Sequence, residues 1–171
     1  MAGCRALEDI ELAYIERCCG VGRYGPRDRA LFVLGWRSGF RISELLSLRL
    51  GQVVRDGKIA YEVTVPRRAV KGGKSVTGEG KRRRPSVRSR TVLLHPEARE
   101  ALSAWLGRLW EMGYLTPGCY VFQSRRGVNS AICRQQAWRI IKRACRLAQV
   151  DARRVGTHSL RKTFARRVGK R

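Results

Sequence analysis

The chain has 171 residues, 43% hydrophobic and 29% charged, the composition of one globular domain with a real core rather than of a disordered segment. Its 37 Lys and Arg against 13 Asp and Glu leave a formal charge of +24, a self-repelling field that a polyanion sharing the surface relieves. That argues against a neutral-surfaced small-molecule enzyme, places nucleic acid first as partner and an acidic membrane surface second, and no apolar stretch approaches the roughly 20 residues of a membrane span.

The N-terminus, MAGCRALEDIELAYIE, carries acids inside its apolar pattern and has no signal-peptide core, so a cytoplasmic protein (nucleoid-associated if prokaryotic) is expected. Cys4, Cys18, Cys19, Cys119, Cys133 and Cys145 form no C-x-x-C pair, and His95 and His158 lie far apart. They read as reduced, mostly buried thiols, and no metal or other cofactor is expected.

In chain order, residues 7–19 predict a helix with Leu7, Ile10 and Tyr14 on one face, punctuated by Gly20, Gly22 and Pro26. A second helix is expected over residues 27–38, stopped by Gly39, and a third over 42–48. The β-branched runs at 59–65 and 89–94 suit two antiparallel strands, joined by a long, mobile basic hairpin, VKGGKSVTGEGKRRRPSVR. Pro96 fits the first turn of a helix through Met112, ended by Gly113, with His95 structural at its start. Residues 119–122 suit a third short strand. Residues 130–148 predict a helix burying Ala137, Ile141, Ala144, Cys145 and Ala148, and 157–168 a last helix that Thr157 caps. Trp36, Trp105, Trp110 and Trp138 sit in apolar helical patterns and are read as core. The fold class is therefore α+β, mainly helical with a small antiparallel sheet, in a single domain over residues 1–171.

The charge is unevenly spread. Residues 1–50 hold 8 basic and 6 acidic side chains, whereas residues 66–90 hold ten basic and one acidic, and residues 125–171 fifteen and one. Within this footprint three segments are more specific. In SGFRISELLSLRL, Arg41 stands at a helix start with Glu44 three residues on. The hairpin offers Lys71 and Lys74. In THSLRKTFARR, His158 and Arg161 share a helical face, about 5–6 Å apart at Cβ. Two guanidiniums and an imidazole suit the non-bridging oxygens of a phosphodiester, and a hairpin lysine suits protonation of a leaving alkoxide, which is phosphoryl transfer without metal.

Taken singly, each motif has a plainer reading. Arg41 and Glu44 suit a closed helix N-terminus, Lys71 and Lys74 solvated charges, and His158 a core histidine.

Together they resemble the catalytic domain of tyrosine recombinases, the phage-type integrases. GFRISELLSL is similar to that family's first box, with Arg41 in the place of its first catalytic arginine and Glu44 in that of the acid supporting it. The strand–hairpin–strand resembles the element bearing the catalytic lysine, which puts that role on Lys71, with Lys74 as the alternative. THSLRKTFA resembles the second box, with His158 and Arg161 as its catalytic pair. The resemblance runs from about Leu7 to Val168. It implies double-stranded DNA as partner, a 3′-phosphotyrosyl intermediate and a homo-tetramer on DNA in intact relatives, with no membrane role. Lys74, Lys81, Arg82, Arg83, Arg84, Arg134, Arg139, Lys142 and Arg143 are the expected DNA contacts.

The family's pattern continues past its second box to another His or Trp and then to the nucleophilic tyrosine. Here Tyr14, Tyr24, Tyr61, Tyr114 and Tyr120 all precede that box, and the chain stops ten residues beyond Arg161. The expectation is a domain missing its nucleophile segment and a separate N-terminal DNA-clamping domain. As written it binds DNA and does not cut it. A catalytically inactive DNA-binding remnant or regulator, and a basic RNA-binding domain, remain the alternatives.

Overall fold

The computed structural model describes residues 3–66, 89–113, 116–125 and 129–169. Its helices are α1 (Asp9–Cys19), α2 (Gly25–Ser38), α3 (Ile42–Leu46), α4 (Leu50–Val53), α5 (Pro96–Glu111), α6 (Arg134–Leu147) and α7 (Thr157–Val168). Four short strands, β1 (Val54–Arg55), β2 (Lys58–Ile59), β3 (Glu62–Val65) and β4 (Arg90–Leu93), make two antiparallel pairs, β1 with β2 and β3 with β4. The expected class, mainly helical with a little antiparallel sheet, is the one observed.

Helix α2 is the axis of the domain. Its residues Ala30 to Trp36 are all buried, because α1, α5 and α7 pack around it. A helix apolar on every side has to be enclosed in this way. Pro26, read from sequence as part of the break after α1, lies instead in the first turn of α2, where its missing N–H is harmless. Gly39 ends the helix at φ +61°, as expected.

Two glycines on α2 set how closely α7 approaches. A Cβ at Gly35 would lie 2.6 Å from Leu160 Cδ1, and one at Gly39 would lie 2.3 Å from Phe164 Cδ1. Gly35 and Gly39 are four apart on α2, as Leu160 and Phe164 are on α7, so one ridge of α7 drops into a groove that only glycine leaves open. Arg161 follows Leu160 and is thereby brought to the end of α2. The N-terminal segment fixes α7 from its other side. Leu7 N–H donates to Thr163 Oγ1 at 2.8 Å, Lys162 reaches Cys4 O, and Arg166 and Arg167 pair with Glu8 and Asp9.

Several local expectations need correction. The buried stripe of α1 is Leu12, Ile15 and Cys19, while Ile10 and Tyr14 are exposed. Both sets have helical spacing, and packing against α2 and α6 selects between them. Leu7 is buried from the extended segment before the helix. The third helix ends at Leu46 rather than continuing to 48, and the short α4 was not anticipated.

The run 59–65 is not one strand. At Ala60 and Tyr61 it changes partner, with Ala60 N–H donating to Val53 O and Tyr61 O accepting from Leu94 N–H. The β1–β2 hairpin turns at Asp56-Gly57, both at positive φ, a short-turn signal the sequence reading passed over. Within residues 119–122 Tyr120 makes an isolated bridge to Arg49, and Gln123 just beyond makes another to Ala131, in place of the expected strand.

Helix α6 starts at Arg134, not at 130, because Ile132 N–H is held by Phe122 O and Cys133 Sγ accepts from Gln136 N–H at the cap. Its expected stripe is buried, with Ala148 half-buried. Thr157 lies inside α7, and Gly156 precedes the helix with its N–H donated to Ser159 Oγ. Trp36 and Trp105 are core, but Trp110 is 73% exposed and Trp138 46%. On α5 the inner face is filled by Leu102, Trp105, Leu106 and Leu109, and Trp110 is turned out of it. Cys19, Cys119 and Cys145 are buried, Cys4 and Cys18 half-buried, and Cys133 is exposed.

Candidate active site and nucleic-acid face

Glu44 is the centre of the site and is fully buried. Its Oε2 accepts the Arg41 backbone N–H at 2.7 Å, the reach-back of a carboxylate from the third helical position to the helix start. Its Oε1 accepts Arg41 Nη1 at 2.9 Å. One short helix thus orients Arg41 through both backbone and side chain. A second guanidinium, Arg90 from the start of β4, lies 3.5 Å from Glu44 Oε2. Arg161 comes from α7, and its Nη1 donates to Gly39 O at 2.9 Å.

Two guanidiniums, Arg41 and Arg90, therefore flank one buried carboxylate, with Arg161 joined to them through Gly39 O, which it shares with Arg90, and the cluster keeps an excess of positive charge. Arg90 registers that crowding. Burial pushes its guanidinium below the ordinary range, Glu44 partly restores it, and Arg161 and then Arg41 push it down again. Arg41 and Arg161 each use only Nη1 of their side chains in hydrogen bonds among the described residues, which leaves N–H donors for an anion. His158, one turn before Arg161 on α7, is exposed and makes no hydrogen bond or ion pair among the described residues. The structure thus brings together Arg41, Glu44 and Arg161, with His158 on the helix that carries Arg161.

Lys71, Lys74, Lys81, Arg82, Arg83 and Arg84 lie outside the described residues. Arg90 escaped the sequence reading because it closes a long basic run. Its signal was the two-residue period of β4, which places Arg90 with Val92 on the less exposed face.

Of the expected DNA contacts on α6, Arg134, Arg139 and Arg143 are exposed, while Lys142 is half-buried, donates to Ala152 O and lies over the Trp138 ring. Arg139 and Arg143 line a groove of about 1020 Å³ between α6 and the turn before α2, joined there by Arg23, Arg125 and Arg146, which were not among the expected DNA contacts. The acid in this groove, Asp28, is buried against Arg27 at 2.8 Å. Of the six arginines lining the groove, Arg27 alone has an ion pair among the described residues. The acids lie elsewhere: Glu8, Asp9, Glu16, Glu97 and Glu100 are all paired to arginines of α2 and α7. One face is left with uncompensated arginine, the footprint of a polyanion.

The chain matches the model of the phage integrase family over residues 12–170. It is 31% identical over 147 residues to the tyrosine recombinase XerD of Pseudomonas putida, covering 82% of this chain and 40% of that protein. Among solved structures it is similar to XerA recombinase, with a TM-score of 0.70 and 21% identity over 99% of this chain and 52% of the other. It is also similar to the XerH site-specific recombinase bound to its difH substrate in a pre-cleavage complex, with a TM-score of 0.66 and 19% identity over 96% of this chain and 43% of that one. The chain therefore spans about half or less of the length of these relatives.

Proposed function

Because the chain belongs to the phage integrase family, the tyrosine recombinases, we propose that it binds duplex DNA and clamps a scissile phosphate for site-specific recombination by phosphotyrosyl strand transfer. The observation that carries this reading is the grouping of Arg41, Arg90 and Arg161, the first two paired to the buried Glu44 carboxylate and the last two sharing Gly39 O, with His158 on the same helix as Arg161.

In this reading Arg41 and Arg161 bind the non-bridging oxygens and offset the charge that builds on the phosphorane-like transition state. His158 donates to the same oxygens, and Glu44 orients Arg41. Lys71, or Lys74 in its place, protonates the departing 5′ oxygen. A tyrosine oxygen attacks phosphorus as that bond breaks, leaving a 3′-phosphotyrosyl link and a free hydroxyl, with no metal or nucleotide needed.

All five tyrosines precede His158 in sequence. Tyr24 lies under Arg27, Tyr61 under Arg99 and Tyr120 under Arg49. We assign the 171 residues the clamp, and to the isolated chain binding without cleavage. The arginines of the α6 groove hold the flanking backbone, and assembly of four such domains on two DNA sites follows from the same reading. No helix among the described residues is long and apolar enough to cross a membrane.

The test is duplex binding by fluorescence anisotropy across a salt series. Affinity falls steeply with salt, and Arg41→Ala and Arg161→Ala weaken binding to a nicked or crossover duplex more than to random duplex. Equal losses on both DNAs overturn the specific clamp. Tighter binding to structured RNA than to duplex DNA, indifferent to Arg161→Ala, overturns the DNA reading altogether.

A further inference from the structure

Arg90 differs from the other two guanidiniums of the cluster in what its N–H groups do. Nη1 donates to Gly39 O at 3.2 Å and lies 3.5 Å from Glu44 Oε2, while Nη2 donates to Ser38 O at 3.2 Å. Its carbon centre also sits 5.2 Å from the centroid of the Phe40 ring. Both ends of the fork are thus engaged by protein, and the three acceptors come from the end of α2 and from α3.

The identity of those acceptors matters. Gly39 O is shared with Arg161, and the Glu44 carboxylate is shared with Arg41. Arg90 therefore has an acceptor in common with each of the two arginines assigned to the phosphate. Ser38 and Gly39 carry carbonyls at the C-terminal end of α2, which have no helical partner and carry the negative end of the helix dipole. A planar fork spans two successive carbonyls and a carboxylate at once, and a lysine ammonium, a single point charge on a flexible stem, does not. Without Arg90 the turn from Ser38 to Arg41 loses the group that ties it to β4.

We propose that Arg90 is the positioning residue of this site: it holds the Ser38 and Gly39 carbonyls and the Glu44 carboxylate in one frame, and so sets Arg161 and Arg41 at the phosphate without contacting it. The proposal rests on reading the cluster as a phosphate clamp.

The experiment is a double-mutant cycle on the full chain, read as the dissociation constant for a short fluorescein-labelled nicked duplex at fixed salt. Arg90→Ala and Arg90→Lys each weaken binding about tenfold, the size of one lost charge-assisted contact. Arg161→Ala does the same in the parent. In either Arg90 variant, Arg161→Ala then costs less than about threefold more, because its contact is already misplaced. Arg139→Ala, on the separate α6 groove, keeps its full effect in the Arg90 variants, which a general loosening of the fold does not allow.

Arg90→Lys keeps the charge and most of the stem, so it carries the test if Arg90→Ala unfolds. Parent-like affinity of Arg90→Lys overturns the proposal, since the charge alone then suffices. Multiplying losses for Arg90 and Arg161 overturn it as well, making Arg90 an independent ligand. Unchanged binding of Arg41→Ala and Arg161→Ala in the parent is the distinct failure of the clamp reading itself, and takes the role of Arg90 with it.

Discussion

The Arg161 guanidinium donates to the carbonyl of Gly39 at 2.9 Å, across 122 residues of chain. This bond joins the two halves of the site, since Gly39 leads directly into Arg41 and Arg161 is carried by α7. It forms because Gly39 takes a left-handed turn and because the absence of a side chain lets Phe164 lie against it.

Gly39→Ala tests that junction. A β-carbon there meets Phe164 Cδ1 at 2.3 Å and imposes a left-handed conformation on an L-residue. The two penalties sum to about 2–5 kcal/mol. Urea unfolding should show that loss. In the double variant with Phe164→Ala the steric part disappears, so the two losses are less than additive; strict additivity refutes the contact.

Glu44→Gln keeps the shape and removes the only carboxylate that the described part of the cluster shows against Arg41 and Arg90. Breaking a fully buried pair costs roughly 3–5 kcal/mol, and the partly exposed arginines bring this nearer to about 2 kcal/mol. Thermal melts should register the drop. DNA affinity should fall with it, because Arg41 loses its orienting partner while the site gains net positive charge. Tighter binding by Glu44→Gln would show that charge, rather than orientation, governs the clamp.

Acid sensitivity has a specific source in Glu11. The hydrogen bond from Arg5 holds its carboxyl below the usual value of 4.5, against the opposing effect of burial. A folded value below the unfolded one means stabilisation that is present above about pH 4.5 and lost as pH falls through the folded value. Glu11→Gln should lose about 0.5–1 kcal/mol at neutral pH and show a shallower decline on acidification, measured by urea midpoints across that range. Asp28, whose carboxyl is raised by burial, acts in the opposite sense and is common to both proteins.

Thiol reactivity should separate the cysteines. Burial pushes the Cys145 thiol up to about 11 and that of Cys19 upward as well, whereas Cys133 is exposed at the start of α6. With a disulfide reagent at pH 8, mass spectrometry should find Cys133 modified first and Cys145 and Cys19 only after denaturation. Early labelling of Cys145 would contradict its burial.

The two tryptophans of α5 should behave oppositely. Trp105 is buried and donates Nε1–H to Val121 O at 2.7 Å, so Trp105→Ala should cost about 3–5 kcal/mol. Trp110→Ser should leave the urea midpoint within about 0.5 kcal/mol of the parent. A comparable loss in both would mean that Trp110 is covered in solution.

Local pattern determined much of this protein. Gly39 as a helix stop, His95 before Pro96, the α6 stripe, the pairing of the strands either side of the hairpin, and the Arg41–Glu44 and His158–Arg161 spacings were all legible, because each depends on residues within a few positions of one another. The tertiary structure decided the rest. Leu12, Ile15 and Cys19, rather than Ile10 and Tyr14, form the buried face of α1, since two stripes of equal period are separated only by what packs against them. Trp110 lay outside the core because helical periodicity does not say where the inner face ends. Arg90 was invisible for a similar reason: as one arginine in a basic run it looked solvated, and its contacts are with acceptors that the chain brings to it only on folding, the Ser38 and Gly39 carbonyls and the Glu44 carboxylate. Short-range spacing writes the Arg41–Glu44 and His158–Arg161 pairs into the sequence; the long-range bonds that join Arg41, Arg90 and Arg161 in one cluster exist only where α2, α3, β4 and α7 meet.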